Sequence, residues 1–129
     1  MGFIGSHLAK KYVENQDDVY ILSRSYNKKN NIYSIEDKVN LIIKDIKNIG
    51  ETEVVDKDYI FHLAGTIDNY SINDKPYLDI DVNCNGTIAL LEACKRYNPK
   101  ARIVFGSTFF VNGNVNKLPV DANSPCNPL

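Results

Sequence analysis

Two glycines three residues apart, Gly2 and Gly5, open the first apolar-periodic stretch of the chain. At the start of a helix such glycines let a ligand approach the backbone, and the free N–H groups of the first turn then favour an anion. In a dinucleotide-binding unit, a buried strand leads into the glycine turn and the helix faces the pyrophosphate. Here the helix and two glycines are present and no strand precedes them. Met1 therefore reads as an internal methionine of a glycine loop whose opening strand and first glycine lie upstream, and the chain reads as a fragment. The competing reading, a pair of helix-packing glycines, is weakened by the strand that follows the helix at the distance a βαβ cofactor site requires.

The elements that would position this loop alternate. Residues 3–15 read as a helix with Ile4, Leu8, Tyr12 and Val13 on one face. Val19–Leu22 reads as a buried strand, and 23–37 as a polar loop with at most a turn of helix. Val39–Ile43 reads as the next strand, residues 51–56 as a short helix, and 59–64 as a strand closed by Gly65. Pro76 suits the first turn of a long helix, carried by Leu78, Val82, Ala89, Leu90, Ala93, Cys94 and Tyr97 and stopped by Asn98-Pro99. Ile103-Val104-Phe105 is a further buried strand, and the Pro- and Asn-rich tail reads as a loop. This order implies a mostly parallel sheet with helical crossovers.

Composition narrows the function classes. Apolar residues make up 43% and charged residues 24% of the 129, ordinary for one modest globular domain. A net charge of −1 leaves no basic footprint for nucleic acid, and no apolar run is long enough to span a bilayer. Cys84, Cys94 and Cys126 lack paired spacing, and with only His7 and His62 they make no metal set. They read as reduced, partly buried thiols of a cytoplasmic protein.

Four segments in order resemble the extended short-chain dehydrogenases/reductases, the NAD-dependent epimerase/dehydratase family of nucleotide-sugar enzymes. Gly2-Phe3-Ile4-Gly5 is similar to the end of that family's Gly-x-x-Gly-Phe-Ile-Gly loop. His62-Leu63-Ala64-Gly65 resembles its strand beneath the cofactor, and Val82-Asn83-Cys84-Asn85-Gly86-Thr87 its Val-Asn-x-x-Gly-Thr helix. Ser107-Thr108-Phe109-Phe110-Val111-Asn112-Gly113 resembles its Ser-Ser/Thr-x-x-Val-Tyr-Gly catalytic segment. The resemblance implies a partial Rossmann fold, a doubly wound parallel α/β sheet lacking its first strand and its C-terminal part, in a single domain over 1–129. It further implies cofactor contacts at Gly2, Phe3, Ile4 and Gly5 with the pyrophosphate, and at Asp45 and Ile46 with the adenine. Leu63, Ala64 and Gly65 would line the nicotinamide-side ribose beside Ser107, and Asn83 would brace the cofactor loops. Thr108 would be the catalytic hydroxyl on the substrate's reacting oxygen; without the resemblance it reads as a strand-end threonine capping the next turn.

Three departures shape the expected activity. The family's Tyr-x-x-x-Lys, in which the lysine lowers the pKa of a proton-transferring tyrosine, is not in the chain, and its tyrosine would fall just past Leu129. Where NAD users carry a carboxylate at the end of the second strand, this sequence has Ser23 followed by Arg24. That exchange suits a 2′-phosphate and tilts the choice between NAD and NADP toward NADP. Phe109 and Phe110 replace the Asp-Glu of the 4,6-dehydratases, leaving epimerisation or ketone/alcohol interconversion. His62 and His7 read as structural, and Asp79 and Asp81 as charges favoured near a helix start. The expected parent is an NAD(P)-dependent epimerase or reductase of a nucleotide sugar, with a homodimer through helices as a family trait. The fragment itself is expected to be inactive. A non-catalytic dinucleotide sensor and a gene remnant are the alternatives. With its central strand missing, the sheet should divide into two halves with exposed edges, at a cost in stability.

Overall fold

A computed structural model describes residues 2–27, 29–66, 77–115 and 118–128. Helix α1 (Phe3–Glu14) leads into β1 (Val19–Ser23), which pairs in parallel with β2 (Val39–Ile43), Val19 opposite Val39 and Ser23 opposite Ile43. After α2 (Glu51–Val54), β3 (Tyr59–His62) pairs in parallel with β4 (Arg102–Phe105) across the helix α3 (Gly86–Tyr97). Parallel pairs need a crossover, which each half supplies from its own chain segment. Among the described residues the two pairs are separate two-stranded sheets, the division expected from the sequence for a doubly wound sheet without its central strand.

Each sheet has its own core. In the first, Ala9, Ile32 and Ile35 are buried together, with Val13, Val19, Ile21 and Val39 against them. In the second, Val54, Leu90, Ala93 and Cys94 are buried, flanked by Ile46, Ile49, Ile60, Tyr97 and Ile103. Contacts between the halves include the Tyr12 ring on Phe61, with centroids 5.3 Å apart, and the Lys57 ammonium 3.8 Å from the centre of the Tyr20 ring.

Several elements differ from the expectation. Helix α1 buries Ser6 and Ala9, not Ile4, which is 66% exposed; the core lies on the side facing the 3₁₀ segment. Residues expected as a polar loop form a 3₁₀ helix, Lys29–Lys38, whose three-residue repeat turns Ile32 and Ile35 inward. Strands β1 and β4 are half-buried to exposed rather than buried, because a two-stranded sheet offers each strand one neighbour. Strand β3 ends at His62, two residues early, and frees Leu63 and Ala64 for the loop. The long helix carries a π-helical stretch, Ile80–Asn85, ahead of α3. Pro76 lies outside the described residues, and the expected stop at Asn98 is met, its N–H bonded to the Cys94 carbonyl. Cys94 is buried, whereas Cys84 and Cys126 are exposed thiols.

Candidate functional site

The residues singled out from the sequence gather where the strands end. Gly2 is extended (φ −78°, ψ 167°) and its carbonyl takes the first helical bond, from the Ser6 N–H at 3.1 Å. The N–H groups of Phe3, Ile4 and Gly5 therefore precede the first helical donor and have no intrahelical acceptor. Both apolar side chains point outward, Phe3 being 75% exposed, while Ser6 is buried and donates to the Phe3 carbonyl at 2.8 Å. His7 lies obliquely against Phe3, and its Nδ1 is 2.9 Å from the same carbonyl.

The glycines open a cradle. A β-carbon at Gly2 would meet no atom within 4 Å, and one at Gly5 would meet only Leu63 Cδ1 at 3.8 Å. Among the described residues no close packing contact demands glycine at either position, so the start of α1 is open on this side. The same distance sets the loop after β3 beside this helix start. Leu63 also abuts Gly106, where a β-carbon would come within 2.8 Å of Leu63 Cδ2, so the ends of β3 and β4 converge on one residue.

That loop is held from below. Asn83 accepts the Thr66 N–H through Oδ1 (2.8 Å) and donates Nδ2 to the Thr66 carbonyl (3.0 Å), a two-way clasp on the backbone of one residue. The Thr66 hydroxyl also donates to Asp79. Asp79 and Asp81, expected as helix-start charges, are thus tied to partners: Asp81 pairs with Lys47, which holds the carboxyl below and the ammonium above its usual range. Leu63, Ala64 and Gly65 are left exposed between their anchors.

At the other strand ends, the Ser23 hydroxyl donates to the Ser25 carbonyl (2.9 Å) and Arg24 is exposed, near enough to Lys47 for their charges to oppose. Asp45 caps the short 3₁₀ turn Ile46–Asn48 by accepting the Lys47 N–H at 3.0 Å, and Ile46 packs against Gly86. Thr108 does cap the turn that follows it, its Oγ1 accepting the Phe110 N–H at 3.3 Å. Its hydroxyl proton points to no described partner. Ser107, Phe109 and Phe110 are exposed, the two rings stacked 4.1 Å apart.

A family model, the NAD dependent epimerase/dehydratase family, matches residues 1–129. The chain belongs to that family. Among its relatives is a putative UDP-glucose 4-epimerase of Methanocaldococcus jannaschii, 37% identical over 129 residues that make up 99% of this chain and 42% of that protein. The CDP-paratose 2-epimerase of Salmonella typhi is 31% identical over 90% of this chain and 37% of its own length. Among solved structures, a Bacillus cereus UDP-glucuronic acid 4-epimerase in complex with UDP-4-deoxy-4-fluoro-glucuronic acid and NAD superposes with a TM-score of 0.83 and 28% identity. It is matched over 99% of this chain and 44% of that one. The chain thus spans less than half the length of these NAD-dependent family members.

The fold unites Gly5 with Leu63, and Leu63 with Gly106 beside Ser107 and Thr108; Arg24 and Asp45 meet at Lys47. Sequence reasoning set His62 aside as a packed residue and passed over Thr66 and Thr87. The one signal was position: His62 and Thr87 lie within the two motifs, and Thr66 directly follows the first.

Proposed function

We propose that this chain supplies the cofactor-binding half of an NAD(P)-dependent epimerase or reductase acting on a nucleotide sugar. The observation that carries the reading is the open glycine cradle at the start of α1, set 3.8 Å from Leu63 of the loop after β3. Ligands of doubly wound sheets bind at such strand ends. When bound, the nicotinamide accepts and returns a hydride at a sugar carbon. The chain's own residues bind and orient: Phe3 and Ile4 donate N–H groups to the pyrophosphate, Asp45 and Ile46 flank the adenine, and Leu63, Ala64 and Gly65 line the second ribose beside Ser107. Asn83 keeps that loop in place. Thr108 donates its hydroxyl proton to the reacting sugar oxygen, while its cap on Phe110 fixes the rotamer. Arg24 in place of a carboxylate favours NADP over NAD. A homodimer through the outer face of α3, where Ile88 and Leu91 are exposed, belongs to the same proposal.

A non-catalytic dinucleotide sensor shares the cofactor site but would use Thr108 only as a cap. Two measurements separate these readings. NADPH and NADH fluorescence should rise saturably on titration with the chain, competed by ADP; no binding of either sinks both. In the protein as it is encoded, Thr108→Val should lower kcat by about a hundredfold with cofactor affinity unchanged. Unchanged turnover would favour the sensor.

A further inference from the structure

His62 lies at the last position of β3, 4% exposed, with its ring 5.4 Å from that of Phe105. Its Nε2 is 2.8 Å from the Thr87 hydroxyl, and that hydroxyl is 2.6 Å from the Asn83 carbonyl. A threonine hydroxyl has one proton, and here it goes to the carbonyl four residues back. Nε2 must then carry the hydrogen and donate to Thr87. Burial lowers the His62 pKa, which favours a neutral ring in this tautomer.

Asn83 is the common member of two sets of bonds. Its backbone carbonyl receives the Thr87 hydroxyl, and its side chain clasps both backbone polar groups of Thr66. The π-helical stretch Ile80–Asn85 makes this possible: its wider turn carries Asn83 to the loop while leaving Thr87 one turn on, under β3. The bonds form a closed circuit, from the base of the loop at His62, through Thr87 and Asn83, to its tip at Thr66. Leu63, Ala64 and Gly65 are the only residues between the two ends.

We propose that His62 and Thr87 are positioning residues, which with Asn83 close a hydrogen-bonded circuit that fixes the loop 63–65 against the nicotinamide half of the cofactor. The inference rests on the cofactor reading above. His62 acts through Thr87, neither donating to nor accepting from the reacting atoms.

Three variants of the full chain test it: Thr87→Val removes both bonds at constant shape, Thr87→Ser keeps them, and His62→Phe removes the donor. In the cofactor-free protein, two-dimensional NMR should show His62 protonated at Nε2. Hydrogen exchange of the Thr66 amide should be about tenfold faster in Thr87→Val and His62→Phe and normal in Thr87→Ser, the factor expected for loss of one net hydrogen bond. NADH should bind about tenfold more weakly to the first two variants, with ADP affinity unchanged, because ADP lacks the nicotinamide half. An Nδ1-protonated ring, an unaltered Thr66 amide, or equal losses for ADP and NADH would each overturn the circuit. If the unaltered chain binds neither ligand, the cofactor reading itself fails, while the tautomer and exchange results still report whether the circuit exists.

Discussion

At the end of β1 the side chain that would face an adenosine ribose is Ser23, and its proton is already given to the Ser25 carbonyl. The neighbouring Arg24 is exposed, and the second cation nearby, Lys47, is neutralised by Asp81. Asp45 and Asp81 together offset Lys47 and Arg24 in number, so what would serve a 2′-phosphate here is the exposed position of the Arg24 guanidinium and not a net positive charge. Charge-assisted bonds of this kind contribute about 1.5–3 kcal/mol, so on the proposed NADP reading an exchange of the pair should move the preference toward NAD. Ser23→Asp with Arg24→Ala is expected to shift the NADP/NAD affinity ratio toward NAD by at least about tenfold. Calorimetric titration with ADP and its 2′-phosphate checks this, and an unchanged ratio would mean that Arg24 only faces solvent. Arg24 was legible in the sequence because its position follows a strand end. Its neighbour Lys47 was not, since the two meet only through the pairing of β1 with β2.

Among the elements, α2 is held by one carboxylate. Glu53 accepts from Lys44 (2.8 Å), from the Thr52 hydroxyl (2.7 Å) and from the Gly50 N–H (2.8 Å). Burial pushes its carboxyl up, but the hydrogen bonds outweigh it and hold the pKa at about 2. With the folded value below the unfolded one of about 4.3, the unfolded chain binds more protons between them. Stability from Glu53 is complete above that range and lost as pH falls toward 2. Thermal unfolding from pH 5 to 2 should show this loss, and Glu53→Gln should be less stable at pH 5 yet flatter across the range. A second element contact is closer still: a β-carbon at Gly86 would stand 2.6 Å from Ile46 Cγ2. That methyl sits on a stiff branched carbon, so Gly86→Ala should cost about 1–3 kcal/mol from overpacking, less the gain in helix propensity, as read by urea midpoint. A neutral or stabilising change would mean that Ile46 yields freely. The strands and α3 were legible because their apolar runs and helical spacing are local signals. The 3₁₀ helix and the π-helical stretch were not: Ile32 and Ile35 sit in a segment of Asn, Lys and Ser, and the side-chain bonds of Asn83 in the π turn run to Thr66, 17 residues away in sequence.

For the whole molecule, two sheets with separate cores replace one continuous sheet, and the unpaired edges predicted from the missing central strand are present. A chain organised in this way should unfold in urea over a broad range, with a slope below the norm for its size and with tyrosine fluorescence and circular dichroism failing to coincide. A single steep transition would show that contacts such as Lys57 on Tyr20 couple the halves firmly. Burial of His62 adds an acid sensitivity: its lowered pKa means that stability falls as pH drops below about 6.5. The separation of the cores also follows the order of the chain. The first cluster is drawn from residues 9–39 and the second from residues 46–103. Ala9, Ile32 and Ile35 draw on nothing beyond residue 39 for their packing, so the first half is complete in sequence before Tyr59 opens the second sheet. The first half is thus a unit by sequence as well as by contact, and the open edge of β1 has to be kept from foreign strands for as long as it stands unpaired.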